Sequence, residues 1–316
     1  MNRVGKIMNT SKKLGKIIRI VLFSVSLLLI LSVLLGTYFY VDSLNHEKNL
    51  TKNFIATVFN TETGEYDFEK AKVKNQDVAA FIKVEGTELH NPVFKADDNA
   101  FYATHNAEKD KSDYGALYFD VNSVLSGKSQ SKNLVIYGQN MTDGTMLGIL
   151  ESFEDIDFLK QNPTIVLNTE QGEKVYTVFA VYRTNADQND NNGYCFNYRP
   201  STFSTDGAFT DWLNNVNSRN IYKTGLKVSK NDSTLTLVTV TDTYSSERLV
   251  VCAKTTTDPE KEKETLEVKA VYNDNAIYPV AWYNAKNIEV PKAALKQIEN
   301  EQAEIEKIKK LLAKKK

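Results

Sequence analysis

Residues 234–251 read TLTLVTVTDTYSSERLVV. Threonine alternates with leucine from Thr234 to Leu237 and more valine follows, the β-branched and period-2 signature of a strand. The polar stretch DTYSS then turns the chain before a second apolar run opens at Leu249. A strand that runs out into a turn is suited to holding a side chain at its tip. The side chain so presented is that of Val240, which has no donor, acceptor or titrating group.

Similar short runs recur upstream and downstream: AFIKVEG, HNPVFKA, GALYFDV, NLVIYGQ, PTIVLNT, KVYTVFAVYRT and RLVVCAK. Several alternate apolar with polar residues, and glycine or Asn/Asp clusters separate them. This pattern predicts a mostly β domain, an antiparallel barrel or sandwich. Two helical inserts interrupt it. GTMLGILESFEDIDFLKQN carries Met146, Leu147, Leu150, Phe153, Ile156 and Leu159 at helical spacing, and STDGAFTDWLNNVNSRNIY carries Phe209, Trp212, Leu213 and Val216 on one face, with Ser204 or Thr205 as cap. The Asn-rich stretch between Tyr182 and Arg199 reads as a mobile surface excursion, and TTTDPEKEKET as a charged linker. In the tail, Ile298, Ile305 and Leu312 recur every seven residues, which predicts an amphipathic helix or short coiled coil.

Ile20 to Val41 is free of charge and, at ~1.5 Å per helical residue, long enough to cross a hydrocarbon core of ~30 Å. It is longer than the apolar region of a signal peptide and lacks a convincing small-residue cleavage site, so an uncleaved transmembrane helix is expected. Lys6, Lys12, Lys13, Lys16 and Arg19 precede it, whereas DSLNHEKN after it is mixed. The positive-inside rule then places the N-terminus in the cytoplasm and everything beyond about Asp42 outside the cell membrane, as a single-pass protein.

Lys plus Arg (39) nearly balance Asp plus Glu (40), and no basic stripe interleaves with aromatics, so nucleic acid is not an expected partner. His46, His90 and His105 lack metal-ligand spacing, and no dinucleotide or phosphate-loop glycine pattern occurs, so neither metal nor cofactor is expected. Cys195 and Cys252 are the sole cysteines, free to pair, to stay as thiols or to react.

NLVIYGQNMTDGTMLGIL (133–150), followed after about a hundred residues by TLTLVTVTDTYSSERLVV, resembles a class B sortase. FIKVEGTELHNPVFKADDNAFYATHN resembles the family's first strands and the loop after them, YGALYFD its next strand, SRNIYKTGLKVSKNDSTLTLVT the approach to its nucleophile strand, and YPVAWYN the tail of some members. The resemblance covers roughly Val73 to Lys254, with weaker echoes to Asn284. It implies a closed β-barrel of about eight strands with peripheral helices, built by a membrane-anchored cysteine transpeptidase that cuts a sorting signal and joins it to an amine of the cell wall or a pilus subunit.

That chemistry uses a Cys nucleophile, a His that handles protons and an Arg that stabilises the oxyanion. Only Arg248 matches. Gln139 stands at the His position and Val240 at the Cys position. An amide does not titrate near neutral pH, and no acyl intermediate forms on valine. Thr239 and Thr241 flank Val240, but a threonine without an adjacent base is a poor nucleophile. Arg248, Thr239 and Asn140 are therefore candidates for binding a sorting-signal or surface-protein peptide. One function follows from this: a catalytically inactive, surface-anchored binding, scaffolding or regulatory module. The alternative is an active transpeptidase with a displaced nucleophile, Cys195; a third possibility is a spacer whose C-terminal helix makes a partner contact or oligomerises. The expected organisation is a basic cytoplasmic segment (1–19), the transmembrane helix (20–41), a stalk and packing helix (42–72), the barrel (73–254), a linker and tail segment (255–290) and the amphipathic helix (291–316).

Overall fold

The computed structural model describes residues 2–313. The chain forms two compact units that divide after Leu50. Helix α1 spans Asn2–Val58 and contains the apolar stretch, which by length and composition is a candidate membrane span. The helix thus continues through the first half of the segment expected to be a stalk. Helix α2 (Phe68–Lys74) follows, with the Asp67 carboxylate accepting the Lys70 amide at 3.0 Å.

The strands are β1 (Val78–Lys83), β2 (His90–Phe94), β3 (Leu117–Phe119), β4 (Asn133–Tyr137), β5 (Thr164–Thr169), β6 (Gly172–Asn185), β7 (Tyr222–Lys223), β8 (Thr234–Val240), β9 (Glu247–Thr255) and β10 (Val271–Tyr272). Eight of them close a barrel in the order β1-β2-β3-β4-β8-β9-β6-β5, while β7 and β10 pair separately. All eight runs quoted from the sequence lie in this barrel. Its pairing corrects the antiparallel expectation in two places: β2–β3 and β4–β8 run parallel. Parallel neighbours need a crossover, which the long connections after Phe94 and after Tyr137 provide.

Strand β8 is buried on both faces. Thr234 to Thr239 are all at most 2% exposed, and only Val240, at 38%, reaches the surface. Two of the threonines sit in this core without an energetic penalty because their hydroxyls donate to the Asn133 side-chain oxygen, Thr234 at 3.0 Å and Thr236 at 2.8 Å. Val238, together with Val250 and Cys252 of β9, packs against helix α4 (Asp206–Arg219). Thr205 is the cap of α4, its hydroxyl accepting the Ala208 amide. The cap is worth ~1 kcal/mol, whereas burying Phe209, Trp212, Leu213 and Val216 contributes ~2 kcal/mol for each side chain, so packing rather than capping holds this helix.

Three expected features differ. The insert after Gly144 is not one helix: a 3₁₀ segment, Gly148–Glu154, ends at Asp155, whose extended backbone begins α3 (Ile156–Gln161) by capping the Asp157 amide. The charged linker is helical as α5 (Pro259–Lys269), started by an Asp258 cap with proline at the first turn and anchored by fully buried Leu266. The Asn-rich stretch is not a free excursion, because Tyr194, Phe196 and Tyr198 are buried in the same cluster as α4.

Beyond the short α6 (Val280–Ala285), helix α7 (Lys292–Ala313) turns Ala294 and Ile298 inward, both nearly fully buried. Arg219 of α4 meets Glu301 in a bidentate pair at 3.2 and 2.7 Å, and its guanidinium lies 4.4 Å from the Phe196 ring centroid. Gln302 donates to the Asn192 carbonyl. The first half of this apolar face is therefore occupied by the protein's own barrel unit, which leaves that half unavailable for the coiled coil envisaged from the heptad spacing.

Candidate functional site

Strand pairing brings three distant positions to one rim of the barrel. Parallel register sets Tyr137, the last residue of β4, beside Val238 of β8, so Gly138–Gln139 just beyond β4 lies next to Thr239–Val240 at the end of β8. Antiparallel register then sets Val240 directly opposite Arg248 of β9. The Thr239 hydroxyl donates to the Gly138 carbonyl at 2.8 Å and ties the two strand ends. Gly138 is required here by space: a Cβ would stand 2.2 Å from Leu117 Cδ2 and 2.9 Å from Leu147 Cγ.

A cleft of about 310 Å³ opens at this rim, with Gln139, Thr239, Val240 and Arg248 in its lining. The Gln139 amide donates to the Ala103 carbonyl at 3.0 Å, which fixes the loop between β2 and β3 against the strand end. Arg248 Nη1 donates to the Glu247 carbonyl at 2.7 Å. Asn140 is not in the lining; its amide donates to Glu151 at 2.8 Å. The other threonine beside Val240, Thr241, is buried and donates to the Glu247 carboxylate.

Behind the β8–β9 turn sits a buried charge network. Arg183 of β6 grips Glu154 at 2.7 and 2.6 Å and reaches Glu247 at 2.7 Å. Burial alone would lower the basicity of this guanidinium, but the hydrogen bonds and charges of the two glutamates more than offset that. Glu247, the residue before Arg248, is thereby anchored and in turn accepts the hydroxyl of Thr241.

The remaining lining was not singled out from the sequence. Tyr102, Tyr118, Tyr137 and Tyr198 wall the cleft, and Arg199 joins them from the segment after Tyr198. Burial raises all four tyrosines, Tyr118 to about 12 even though Arg248 pulls it down, so their hydroxyls stay neutral donors and acceptors. Tyr137 donates to Asp120 at 2.9 Å. Alternation of Tyr194, Phe196 and Tyr198 in the Asn-rich stretch was the available signal that this segment is held and contributes a wall.

Neither thiol lines the cleft. Cys195 is half-buried and its Sγ donates to the Asn185 carbonyl at 3.0 Å; burial pushes its pKa up against the opposing pull of Arg199, Arg219 and Arg248. Cys252 is fully buried on β9, pushed up to about 12 by desolvation. Both are free, so of the outcomes left open by the sequence the disulfide is not the one adopted. No histidine lines the cleft either: His105 stacks on Phe101 at 4.2 Å, and His90 shares a 2.8 Å hydrogen bond with the Tyr66 hydroxyl. Among the described residues no three His, Cys, Asp or Glu side chains gather as metal ligands.

The family model described as the Sortase domain matches residues 82–256. Sortase B of Listeria monocytogenes is 30% identical over 210 residues, covering 66% of this chain and 80% of that protein. Among solved structures, Clostridium perfringens sortase B aligns with a TM-score of 0.55 at 30% identity, over 60% of this chain and 100% of that one. Sortase B from B. anthracis, in complex with AAEK2, aligns with a TM-score of 0.57 at 26% identity, over 67% and 96% of the two chains. A closed eight-stranded barrel, the strand-end cleft with its arginine, and these similarities together place the chain in the sortase family, as a class B member.

Proposed function

We propose that this class B sortase homologue binds a peptide in its rim cleft without cleaving it, and serves as a surface-anchored binding, scaffolding or regulatory module. The observation that carries this is the occupancy of three adjoining positions: Gln139 and Val240 stand where the family's proton carrier and nucleophile are expected, while Arg248 remains opposite Val240. A valine forms no acyl intermediate and an amide relays no proton, yet the arginine still offers a fork of N–H donors to a peptide carbonyl. The four neutral tyrosines supply apolar walls with polar tips, suited to an extended peptide.

The geometry gives less support to a displaced nucleophile. Cys195 points its thiol at a backbone carbonyl outside the cleft lining, and its raised pKa keeps the thiolate scarce. Anchoring by the apolar part of α1, with the basic N-terminal segment cytoplasmic, completes the proposal. The test is direct binding of sorting-signal peptides to the full chain in detergent micelles. Binding that falls about tenfold or more in Arg248→Ala, as expected on losing a charged hydrogen-bond donor, supports it. Equal binding by native chain and variant removes Arg248 and its cleft as the site, and no binding by either removes the peptide-binding role.

A further inference from the structure

The cleft holds two arginines, Arg199 and Arg248, and no lysine, aspartate or glutamate in its lining. Arg199 follows Tyr198 and its guanidinium lies 5.8 Å from that ring's centroid, while Arg248 stands opposite Val240 at the strand end, so both reach one cleft. Arg248 uses one of its five N–H donors on the Glu247 carbonyl, and among the described residues it forms no ion pair. The neighbouring Glu247 carboxylate is committed elsewhere, to Arg183 and Thr241. Arg199 is held strongly basic by Tyr137 and by the nearby Asp120 carboxylate. That carboxylate borders the adjacent polar hollow together with Arg199, but its oxygens are engaged by Asn99, Asn122 and Tyr137 at 2.8–3.0 Å and it forms no ion pair with Arg199 among the described residues. Val240, across from Arg248, brings no negative charge.

Two cations, Arg248 half-buried and Arg199 exposed, in a cleft whose lining holds no carboxylate favour an anionic guest over a neutral one. We propose that the cleft recognises the free C-terminal carboxylate of a peptide, held between Arg199 and Arg248, rather than an internal amide. The inference rests on the peptide-binding role above and specifies its ligand. A neutral amide in the same place would accept hydrogen bonds but bring no charge to offset that of Arg248. The walls of tyrosine would then hold the residues that precede the carboxylate.

The test uses two libraries of N-acetylated pentapeptides that share one set of sequences, one ending in free carboxylate and the other in carboxamide, with inorganic phosphate as a third probe. Retention by the full-length chain in detergent is read by mass spectrometry. Free-acid peptides retained at least about tenfold better than amides, with the preference lost in both Arg199→Gln and Arg248→Gln, is the expected result. Equal retention of acids and amides overturns the carboxylate claim while leaving peptide binding intact. Phosphate that displaces the acids at equal concentration also overturns it, since the site then selects charge rather than a peptide end. Retention of neither library overturns this claim and the peptide-binding role together.

Discussion

Val240 is the most exposed residue of its strand and faces the cleft, whereas both native thiols point elsewhere. In Val240→Cys the introduced thiol should therefore alkylate first, with Cys195 slower and Cys252 protected until the protein unfolds; peptide mapping after iodoacetamide treatment checks the order. Rapid labelling of Cys252 in the native protein would contradict its placement in the core. A second single-residue consequence concerns Arg183. Removing a partner from a buried ion pair leaves an uncompensated charge, at a cost of ~3–5 kcal/mol. Arg183→Ala strands Glu247, which is fully buried, and Glu154 beside it, so urea unfolding should show a loss of that order. A loss below ~1 kcal/mol would mean that the network does not brace the β8–β9 turn.

Helix α7 owes its place to the buried Ala294 and Ile298 and to the Arg219–Glu301 pair, whose side chains are 5% and 10% exposed. Glu301→Ala should lower stability by ~2–3 kcal/mol, because Arg219 keeps neutral partners in Asn215 and Ser218 and its ring contacts but loses its carboxylate. Limited proteolysis should then cut the α7 segment earlier than in the native chain, and unchanged digestion would remove the docking role. Elements of this kind divide by how local their cause is. All eight barrel strands were legible because alternation and turn residues act within a strand's own length, and α4 because its apolar face and Thr205 cap lie together. The parallel pairing of β4 with β8 was not, since it depends on a crossover of about a hundred residues. Helix α5 went unread for a different reason: its charge obscured any apolar period, although Asp258–Pro259 was a valid start signal. At the cleft, Arg248, Gln139 and Val240 were recognised through the motifs that surround them. Arg199 and the tyrosines escaped because only the folded Asn-rich segment and the β-strand register bring them together.

At the scale of the whole molecule, a barrel unit that begins at Thr51 follows a unit that carries the candidate membrane span. A sortase frame that keeps its cleft and arginine but carries Gln139 and Val240 is expected to capture a peptide and not turn it over. The most direct test incubates the full-length chain in detergent with a sorting-signal peptide that sortase B of Listeria monocytogenes cleaves, and follows peptide and protein by intact mass. The Listeria enzyme serves as the working control, and binding is measured in the same samples. The predicted result is bound, uncleaved peptide with no mass added covalently to Cys195 or any other residue. Cleaved peptide above the level seen with Arg248→Ala, or an acyl adduct on Cys195, would contradict the account.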